Sequence, residues 1–181
     1  MATHIRGAVQ GRRQRIRHDR LHYRASTSTW RWGKKRGDCQ FENQALGRGR
    51  GGLSTKIHAT VDANGKPTAI HLTGGQVSDL VGADLLLPNN PGRTLIADKA
   101  YDAVERVIKP ALQAGKQVVI PSIRDRRPQR QYDRNLYRLR CRIEHFFARL
   151  KQFRSIATRY DKTASSFFGA VQFACAILWL N

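Results

Sequence analysis

Acidic residues are scarce in this sequence of 181 residues, which has 33 Lys and Arg against 13 Asp and Glu. The resulting formal net charge of +20 and isoelectric point near 11.1 indicate a polyanionic partner. Nucleic acid is the simplest such partner, and an anionic membrane surface is the weaker alternative. The charge is uneven, because residues 1–50 hold 13 basic and 3 acidic side chains and residues 121–160 hold 12 and 3, whereas residues 51–120 hold 7 and 6.

Cysteines and long apolar runs are also few. The three cysteines, Cys39, Cys141 and Cys175, are widely spaced and form no Cys-x2-Cys pair, which excludes the usual zinc patterns and favours free thiols in a reducing cytoplasm. The longest apolar run, 167–180, is shorter than the roughly 20 residues of a membrane span and predicts a packed helix instead. The first residues lack the apolar segment of a signal peptide. We therefore expect a cytoplasmic protein with no membrane partner.

Regular patterns begin near Leu53 and predict an α/β domain. Alternating or short apolar runs predict strands, and apolar residues at helical spacing between capping residues and prolines predict helices. The turn sequence Asn64-Gly65 predicts a hairpin between the first two of these strands. Residues 1–46 have no sustained periodicity, so we expect a basic, poorly ordered or out-of-frame segment there and a domain over 47–181. The strands are predicted over 54–61, 67–73, 94–97 and 117–120, and the helices over 78–87, 101–114, 133–153 and 167–180.

One face of the predicted helix over 133–153 has the composition of a site. Tyr137, Arg140, Glu144 and Lys151 lie at offsets that bring them within roughly 60° of one another around a helix. A carboxylate thus lies between an arginine and a lysine, with a tyrosine one turn away. The alternative is a solvated helix face with incidental ion pairs between successive turns.

Asp98 follows the short apolar strand predicted over 94–97, at the edge where α/β sheets hold their sites. If the helix packs beside that strand, Asp98 and Glu144 converge, and two carboxylates in a basic protein indicate Mg²⁺ held against a phosphodiester. Arg140 and Lys151 would then hold the flanking phosphates. The alternative for Asp98 is a helix N-cap.

The pattern Tyr137-x2-Arg140-x3-Glu144-x6-Lys151 matches the Tyr-Arg-Glu-Lys signature of bacterial insertion-sequence DDE transposases. Other parts of the chain agree with it. The resemblance to the insertion-sequence-five family extends over about 43–181 and includes the segments 47–58, 96–102 and 153–162.

This resemblance implies a ribonuclease-H-like mixed sheet with flanking helices and two Mg²⁺ ions, with Mn²⁺ as a substitute. It implies nicking at the ends of an insertion sequence, followed by attack of the freed 3′-hydroxyl on target DNA. Asp98 and Glu144 are then the second and third acidic metal ligands, and Asp102 is a lower-ranked carboxylate. The implied partners are double-stranded DNA, as terminal inverted repeats and target, and further copies of the chain, in a nucleoid-associated complex.

The loop before the signature helix is rich in arginine. Because it adjoins the predicted site, we expect it to contact phosphates, although a charge run is often merely solvated. The loop arginines are Arg124, Arg126, Arg127 and Arg130.

The first acidic ligand of the family has no counterpart in this sequence. It should precede Gly47 in a stretch like Ile-Asp-Ser-Thr, but Asp19 and Asp38 are the only aspartates there, and neither lies in an apolar strand context. We therefore expect the sheet to lack its first strand and the isolated chain to be inactive.

A shifted reading frame can account for the missing stretch. Codons for 18–24, read one base later, can encode Met-Ile-Asp-Ser-Thr-Ile-Val, and Lys34-Lys35 can be encoded by a slippery run of A. The hypothesis is that residues 1 to about 35 are an out-of-frame translation, and that frameshifting from an upstream frame restores the enzyme. The alternatives are a natural cationic DNA-binding arm and, for the whole chain, a catalytically inactive DNA-binding fragment that is a regulator or a degenerate remnant.

Overall fold

A six-stranded mixed sheet forms the centre of the molecule. The computed structural model of the chain describes residues 18–26, 44–49 and 52–180. The strands are β1 (His18–Ser26), β2 (Gly47–Gly49), β3 (Gly52–Val61), β4 (Pro67–Gly74), β5 (Thr94–Ala97) and β6 (Gln117–Val119).

The strands lie in the order β4–β3–β1–β5–β6, and β2 extends the sheet beside the start of β3. The pairs β4–β3 and β3–β1 are antiparallel, whereas β1, β5 and β6 run parallel to one another. The carboxyl ends of the three parallel strands therefore meet at one edge, which is the edge that Asp98 follows.

β1 lies at the middle of this sheet. Arg20 pairs with Val61 on one side and with Ile96 on the other, 41 and 76 residues further along the chain. The prediction that the sheet lacks a strand before Gly47 is therefore wrong. Sequence patterns missed β1 because its backbone partners are so distant that no local signal reports them. Residues 1–17 and 27–43 lie outside the described residues, so the poor order expected for them stays a prediction. The domain boundary at residue 46 stays a prediction as well.

The hairpin between β3 and β4 is confirmed at Asn64-Gly65. Gly65 has a φ of +81°, which glycine adopts without a steric penalty. The Asp62 carboxylate accepts hydrogen bonds from the backbone N–H groups of Asn64 and Lys66, both at 2.9 Å. This turn fixes the register of the two strands.

Six α-helices flank the sheet in the described part of the chain, together with two irregular turns. Ser78 is the N-cap of the first helix, as its sequence predicts. No helix among the described residues is long and apolar enough to cross a membrane. The helices are α1 (Asp79–Leu86), α2 (Lys109–Gln113), α3 (Arg134–Arg138), α4 (Cys141–Leu150), α5 (Arg154–Ala157) and α6 (Ala164–Leu180), and the turns are a 3₁₀ turn (Lys99–Tyr101) and a π-helical turn (Val104–Ile108).

Apolar cores lie on both faces of the sheet. On one face, the β3 residues Ile57, Ala59 and Val61 pack against α4, α5 and α6. On the other face, β5 packs against α1, the π-helical turn and α2. Because β3 is covered on both faces, its alternate residues are buried as well, including His58 and Lys56.

The long helix predicted over 133–153 is broken into α3 and α4. Around the break, the N–H groups of Leu139, Arg140 and Arg142 donate to carbonyls three residues back, so the turn is tighter than an α-helix. The helix predicted over 101–114 is also irregular. Pro110 near the start of α2 has no N–H to donate to the preceding turn, which forms a π-helical segment instead.

Candidate active site and DNA interface

Asp98 directly follows β5, at the edge where the parallel strands end. Its Oδ1 accepts a hydrogen bond from the Ala100 N–H at 2.8 Å and caps the 3₁₀ turn Lys99–Tyr101. The capping role considered for this residue is therefore present in the structure. The carboxylate is half-buried, and capping leaves it at the sheet edge where α/β proteins bind ligands.

Arg140 and Glu144 form an ion pair at the start of α4. Arg140 Nη1 and Glu144 Oε1 are 2.6 Å apart, and the two side chains are 28% and 45% exposed. The Arg140 guanidinium also lies over the Tyr137 ring, 5.9 Å from its centroid. Three of the four signature residues, Tyr137, Arg140 and Glu144, are therefore joined by direct contacts.

The Tyr137 phenol is affected by the charges of both Asp98 and Glu144. Burial raises the pKa of the Tyr137 phenol, and the negative charges of Asp98 and Glu144 raise it further, whereas Arg140 opposes them. The charges of both carboxylates therefore act on one phenol, and the convergence of Asp98 and Glu144 on a metal ion stays a prediction. Lys151 is the outlying member of the signature: it caps the C-terminus of α4, seven residues or about 10 Å along the helix from Glu144.

Lys56 and Asp79 lie beside this site, and sequence reasoning missed both. Lys56 Nζ donates to Asp79 Oδ1 at 2.9 Å and to the Val77 carbonyl at 2.6 Å. Burial raises the pKa of Asp79, the hydrogen bond from Lys56 opposes the shift, and the charge of Asp98 adds to it. A lysine inside an otherwise buried strand was the available signal.

The arginine loop is anchored by Asp102. The Asp102 side chain is fully buried and accepts hydrogen bonds from Arg130 Nη2 at 2.8 Å, Arg126 Nε at 2.7 Å and the Ile123 N–H at 2.9 Å. Burial alone would raise the pKa of Asp102, but these hydrogen bonds outweigh it and hold the pKa below its usual range. Arg126 and Arg130 thus hold the loop onto the end of β5.

Arg124 and Arg127, by contrast, are exposed on the same loop. Their side chains make no hydrogen bond or ion pair to any residue that the structure describes. The loop thus has an anchored pair, Arg126 and Arg130, and an exposed pair, Arg124 and Arg127. The contacts of these four arginines with DNA stay predictions.

A further basic groove of about 410 Å³ lies between α4 and the β3–β4 turn. Arg142, His145 and Arg149 line it, and neither Asp98 nor Glu144 does. These residues are offset from Glu144 around the helix by roughly 100–160°, so the groove is separate from the acidic site.

The described side chains form no complete metal cluster, and neither aspartate that precedes Gly47 is among them. Asp19 pairs by backbone with Leu95 inside β1, and Asp38 lies outside the described residues. Over 44–48 and 52–180, where side chains are described, no group of three or more His, Cys, Asp or Glu is arranged to hold a metal ion.

A mixed α/β sheet with a carboxylate where its parallel strands end, in a chain of net charge +20, fits a protein that acts on nucleic acid. The model of the transposase DDE domain family matches residues 26–179, and the chain belongs to this family. The chain is also 41% identical over 132 residues to a Brucella ovis protein named "Putative transposase for insertion sequence element IS6501". This match covers 71% of the chain and 100% of the relative.

The expectation of a bacterial insertion-sequence DDE transposase is thereby confirmed, while the insertion-sequence-five subfamily stays a prediction. No solved structure matches the chain.

Proposed function

We propose that this chain supplies the second and third acidic ligands, Asp98 and Glu144, of a transposase centre that nicks insertion-sequence ends and transfers the strand to target DNA. The observation that carries the proposal is the position of Asp98 directly after β5, where the parallel strands end, together with the Arg140–Glu144 ion pair at the start of α4. The strand order β4–β3–β1–β5–β6 supports a ribonuclease-H-like core, because it puts β1 beside the strand that leads to Asp98.

Two carboxylates are a donor set that suits Mg²⁺, which prefers oxygen ligands and keeps several waters. Asp98 and Glu144 would hold the metal. Bound there, Mg²⁺ would polarise the scissile phosphate and activate the attacking water or 3′-hydroxyl. Arg140 would exchange part of its ion pair with Glu144 for a DNA phosphate, and Lys151, Arg124 and the other loop arginines would hold the flanking backbone.

A set of two acidic ligands is incomplete for this chemistry, and we assign the third to a different reading frame. Read one base later, the codons of Arg20 and Leu21 overlap the aspartate codon of the Ile-Asp-Ser-Thr stretch. In β1 these two residues pair with Ile96 and Ala97, directly before Asp98. A frame-joined β1 would therefore carry its aspartate beside Asp98.

Nicking of DNA with insertion-sequence ends tests this proposal. We expect the chain alone to be inactive with Mg²⁺ or Mn²⁺, and a frame-joined protein to nick. Asp98→Asn and Glu144→Gln in the frame-joined protein should abolish nicking. Glu105→Gln is the control and should not, because Glu105 is an exposed carboxylate in the π-helical turn that pairs with Lys109. A frame-joined protein that nicks equally well with Asp98→Asn would refute the assignment.

The second candidate is a catalytically inactive DNA-binding product that occupies insertion-sequence ends as a regulator or persists as a remnant. The incomplete acidic set among the described residues favours it for this chain alone. Specific binding of the ends, with no nicking even after frame joining, would support this candidate over the first. In either case we expect the protein to act in the cytoplasm, on the nucleoid, and as an oligomer that holds two DNA ends.

A further inference from the structure

The outer face of α6 has no charged residue although the molecule around it is highly charged, and its exposed polar residues are Ser165, Ser166 and Gln172. No Asp, Glu, Lys or Arg occurs between Ala164 and Leu180 in a chain of net charge +20. The inner face of α6 packs on β4, α4 and α5 through Phe167, Val171 and other buried residues.

Four exposed residues form a stripe along this outer face. They lie within about 60° of one another around the helix. Phe173 is 70% exposed and Leu180 is 89% exposed, and a Cβ built at Gly169 would meet no atom within 4 Å. Large side chains thus alternate with shallow depressions. In order, the stripe is Gly169, Phe173, Ala176 and Leu180.

The order of sizes makes the stripe complementary to itself. Gly169 lies as far before the midpoint between residues 174 and 175 as Leu180 lies after it, and Phe173 and Ala176 are related in the same way. Two antiparallel copies of α6 about a two-fold axis at that midpoint therefore oppose each large residue to a small one. Leu180 meets Gly169 of the other copy, and Phe173 meets its Ala176.

We propose that α6 is the interface through which two copies of this chain associate. An isologous contact of this kind closes on itself and gives a dimer. The uncharged stripe lets two strongly basic molecules approach at the place where their mutual repulsion is weakest, whereas the +9 excess of residues 121–160 would keep them apart elsewhere. The proposal deepens the oligomer of the proposed function by naming its surface.

The C-terminal end of α6 is held in place, as an interface helix requires. Lys66 Nζ donates to the carbonyls of Leu178 and Trp179, both at 2.9 Å, and the Trp179 indole N–H donates to the Pro67 carbonyl at 2.7 Å. The positive charge of Lys66 also stabilises the negative end of the helix dipole. The β3–β4 hairpin therefore fixes the helix end from which Leu180 projects.

Sedimentation of the full chain, with and without DNA, tests the interface. The wild-type chain should sediment as a dimer. Phe173→Asp and Gly169→Leu should shift it to a monomer, the first by introducing charge and the second by filling the depression that receives Leu180. Leu112→Asp makes the same kind of change at an exposed apolar residue of α2 and should leave the dimer intact.

Circular dichroism melting of each variant checks that these exposed substitutions leave the fold intact. A wild-type monomer at every soluble concentration, with and without DNA, would overturn the proposal. A dimer that survives Phe173→Asp and Gly169→Leu in folded protein would overturn it too.

Disulfide trapping tests the antiparallel register in a Cys39→Ser, Cys141→Ser background, where the remaining Cys175 is buried. The two copies of residue 176 are offset by three residues, or about 4.5 Å along the axis, so Ala176→Cys should form a disulfide across the dimer. Copies of residue 169 are offset by about 16 Å, so Gly169→Cys should not. Efficient trapping of both would mean a parallel pair and would contradict the register.

These outcomes are independent of catalysis. A dimer that does not nick DNA after frame joining would refute the proposed activity and leave the interface supported. A protein that nicks and is not dissociated by Phe173→Asp would refute the interface alone.

Discussion

At the scale of single residues, Asp102 has the most demanding environment in the site. Its fully buried carboxylate joins the end of β5 to the arginine loop through two guanidinium groups and one backbone N–H. Buried carboxylates of this kind are stable only while their cationic partners remain. Asp102 therefore sets the position of a loop whose exposed arginines are candidates for DNA contact.

Asp102→Asn should lower the free energy of unfolding at pH 7 by about 2–3 kcal/mol, because two charge-assisted hydrogen bonds weaken while the partly exposed arginines regain some hydration. The lowered pKa of Asp102 means that its contribution is complete above the ordinary aspartate pKa and is lost as pH falls through the lowered value. Urea unfolding should show the gap between wild type and variant narrowing below about pH 4.

Asp125→Asn is the matched control for that experiment, because Asp125 is exposed on the same loop. It should change stability by less than about 0.5 kcal/mol at any pH. A gap for Asp102→Asn that is the same at pH 3 and pH 7 would mean that the carboxylate charge is not its source.

His58 is a second residue with a pH-dependent contribution. Its imidazole is 1% exposed, and Nε2 hydrogen-bonds the Thr73 hydroxyl at 2.7 Å. Burial, with smaller contributions from the charges of His71 and Lys56, lowers the pKa of His58 to about 4. The folded state therefore holds this histidine neutral over a pH range in which the unfolded chain protonates it.

Between pH 6.5 and pH 4 this difference should cost the folded state about 3 kcal/mol, because the unfolded chain binds the proton first. His58→Gln should be less stable than wild type at pH 7 and should lack this part of the decline. Urea unfolding at pH 7, 5.5 and 4 measures it, with the exposed His145→Gln as control. A parallel decline in His58→Gln and wild type would assign the pH dependence to other groups.

At the scale of elements, two helical glycines have opposite surroundings. A Cβ at Gly82 in α1 would lie 2.1 Å from Nδ1 of the buried His58, so α1 can approach β3 this closely only with glycine there. A Cβ at Gly169 in α6 would meet nothing within 4 Å. Packing of α1 on β3 therefore requires glycine at position 82, whereas no contact within one molecule requires glycine at position 169.

Gly82→Ala should therefore lower the free energy of unfolding by about 2–3 kcal/mol through overpacking against the His58 ring. Gly169→Ala should raise it by up to about 1 kcal/mol through better helix propensity. Urea unfolding at dilute protein concentration measures both. Equal effects of the two substitutions would contradict the packing of α1 against β3.

Elements with local signals could be predicted from the sequence. The strand 94–97, the Ser78 cap and the Asn64-Gly65 turn are all determined by neighbouring residues, and the structure has them. β1 could not be predicted, because it is defined by partners 41 and 76 residues away. The break before α4 was missed as well, since a tightened turn leaves the helical spacing of apolar residues almost unchanged.

The candidate site divides in the same way. Asp98 and Glu144 could be singled out from their motifs, and α3, which leads into α4, contacts β5. Their convergence on one metal ion stays a prediction. The Lys56–Asp79 pair and the anchoring of Arg126 and Arg130 could not be predicted, because each depends on side chains brought together by the tertiary fold.

At the scale of the whole molecule, the charge of +20 is not one uniform surface. Part of the basic excess of residues 121–160 neutralises carboxylates of the protein itself, as Arg126 and Arg130 do for Asp102. Exposed arginines such as Arg124 and Arg127 remain for phosphates. Net charge therefore overstates the number of phosphate contacts, and the salt dependence of DNA binding is the direct measure.

Arg124→Gln combined with Arg127→Gln should weaken DNA binding and reduce the slope of log affinity against log salt by about 2, one unit for each phosphate contact. Stability should not change, because both side chains are exposed. Fluorescence anisotropy at several salt concentrations measures the slope. Arg93→Gln with Lys109→Gln removes the same charge elsewhere, and an equal loss of slope there would mean that binding depends on net charge alone.

The central position of β1 also determines the order in which the molecule can be built during translation. β1 is synthesised first, yet its second neighbour in the sheet, β5, ends only at Ala97. The nascent chain must therefore hold an incomplete sheet until both neighbours have left the ribosome, and such long-range closure is slow. During that interval the edge of β1 that β5 later covers is open to strands of other chains, so aggregation competes with folding most strongly at this step.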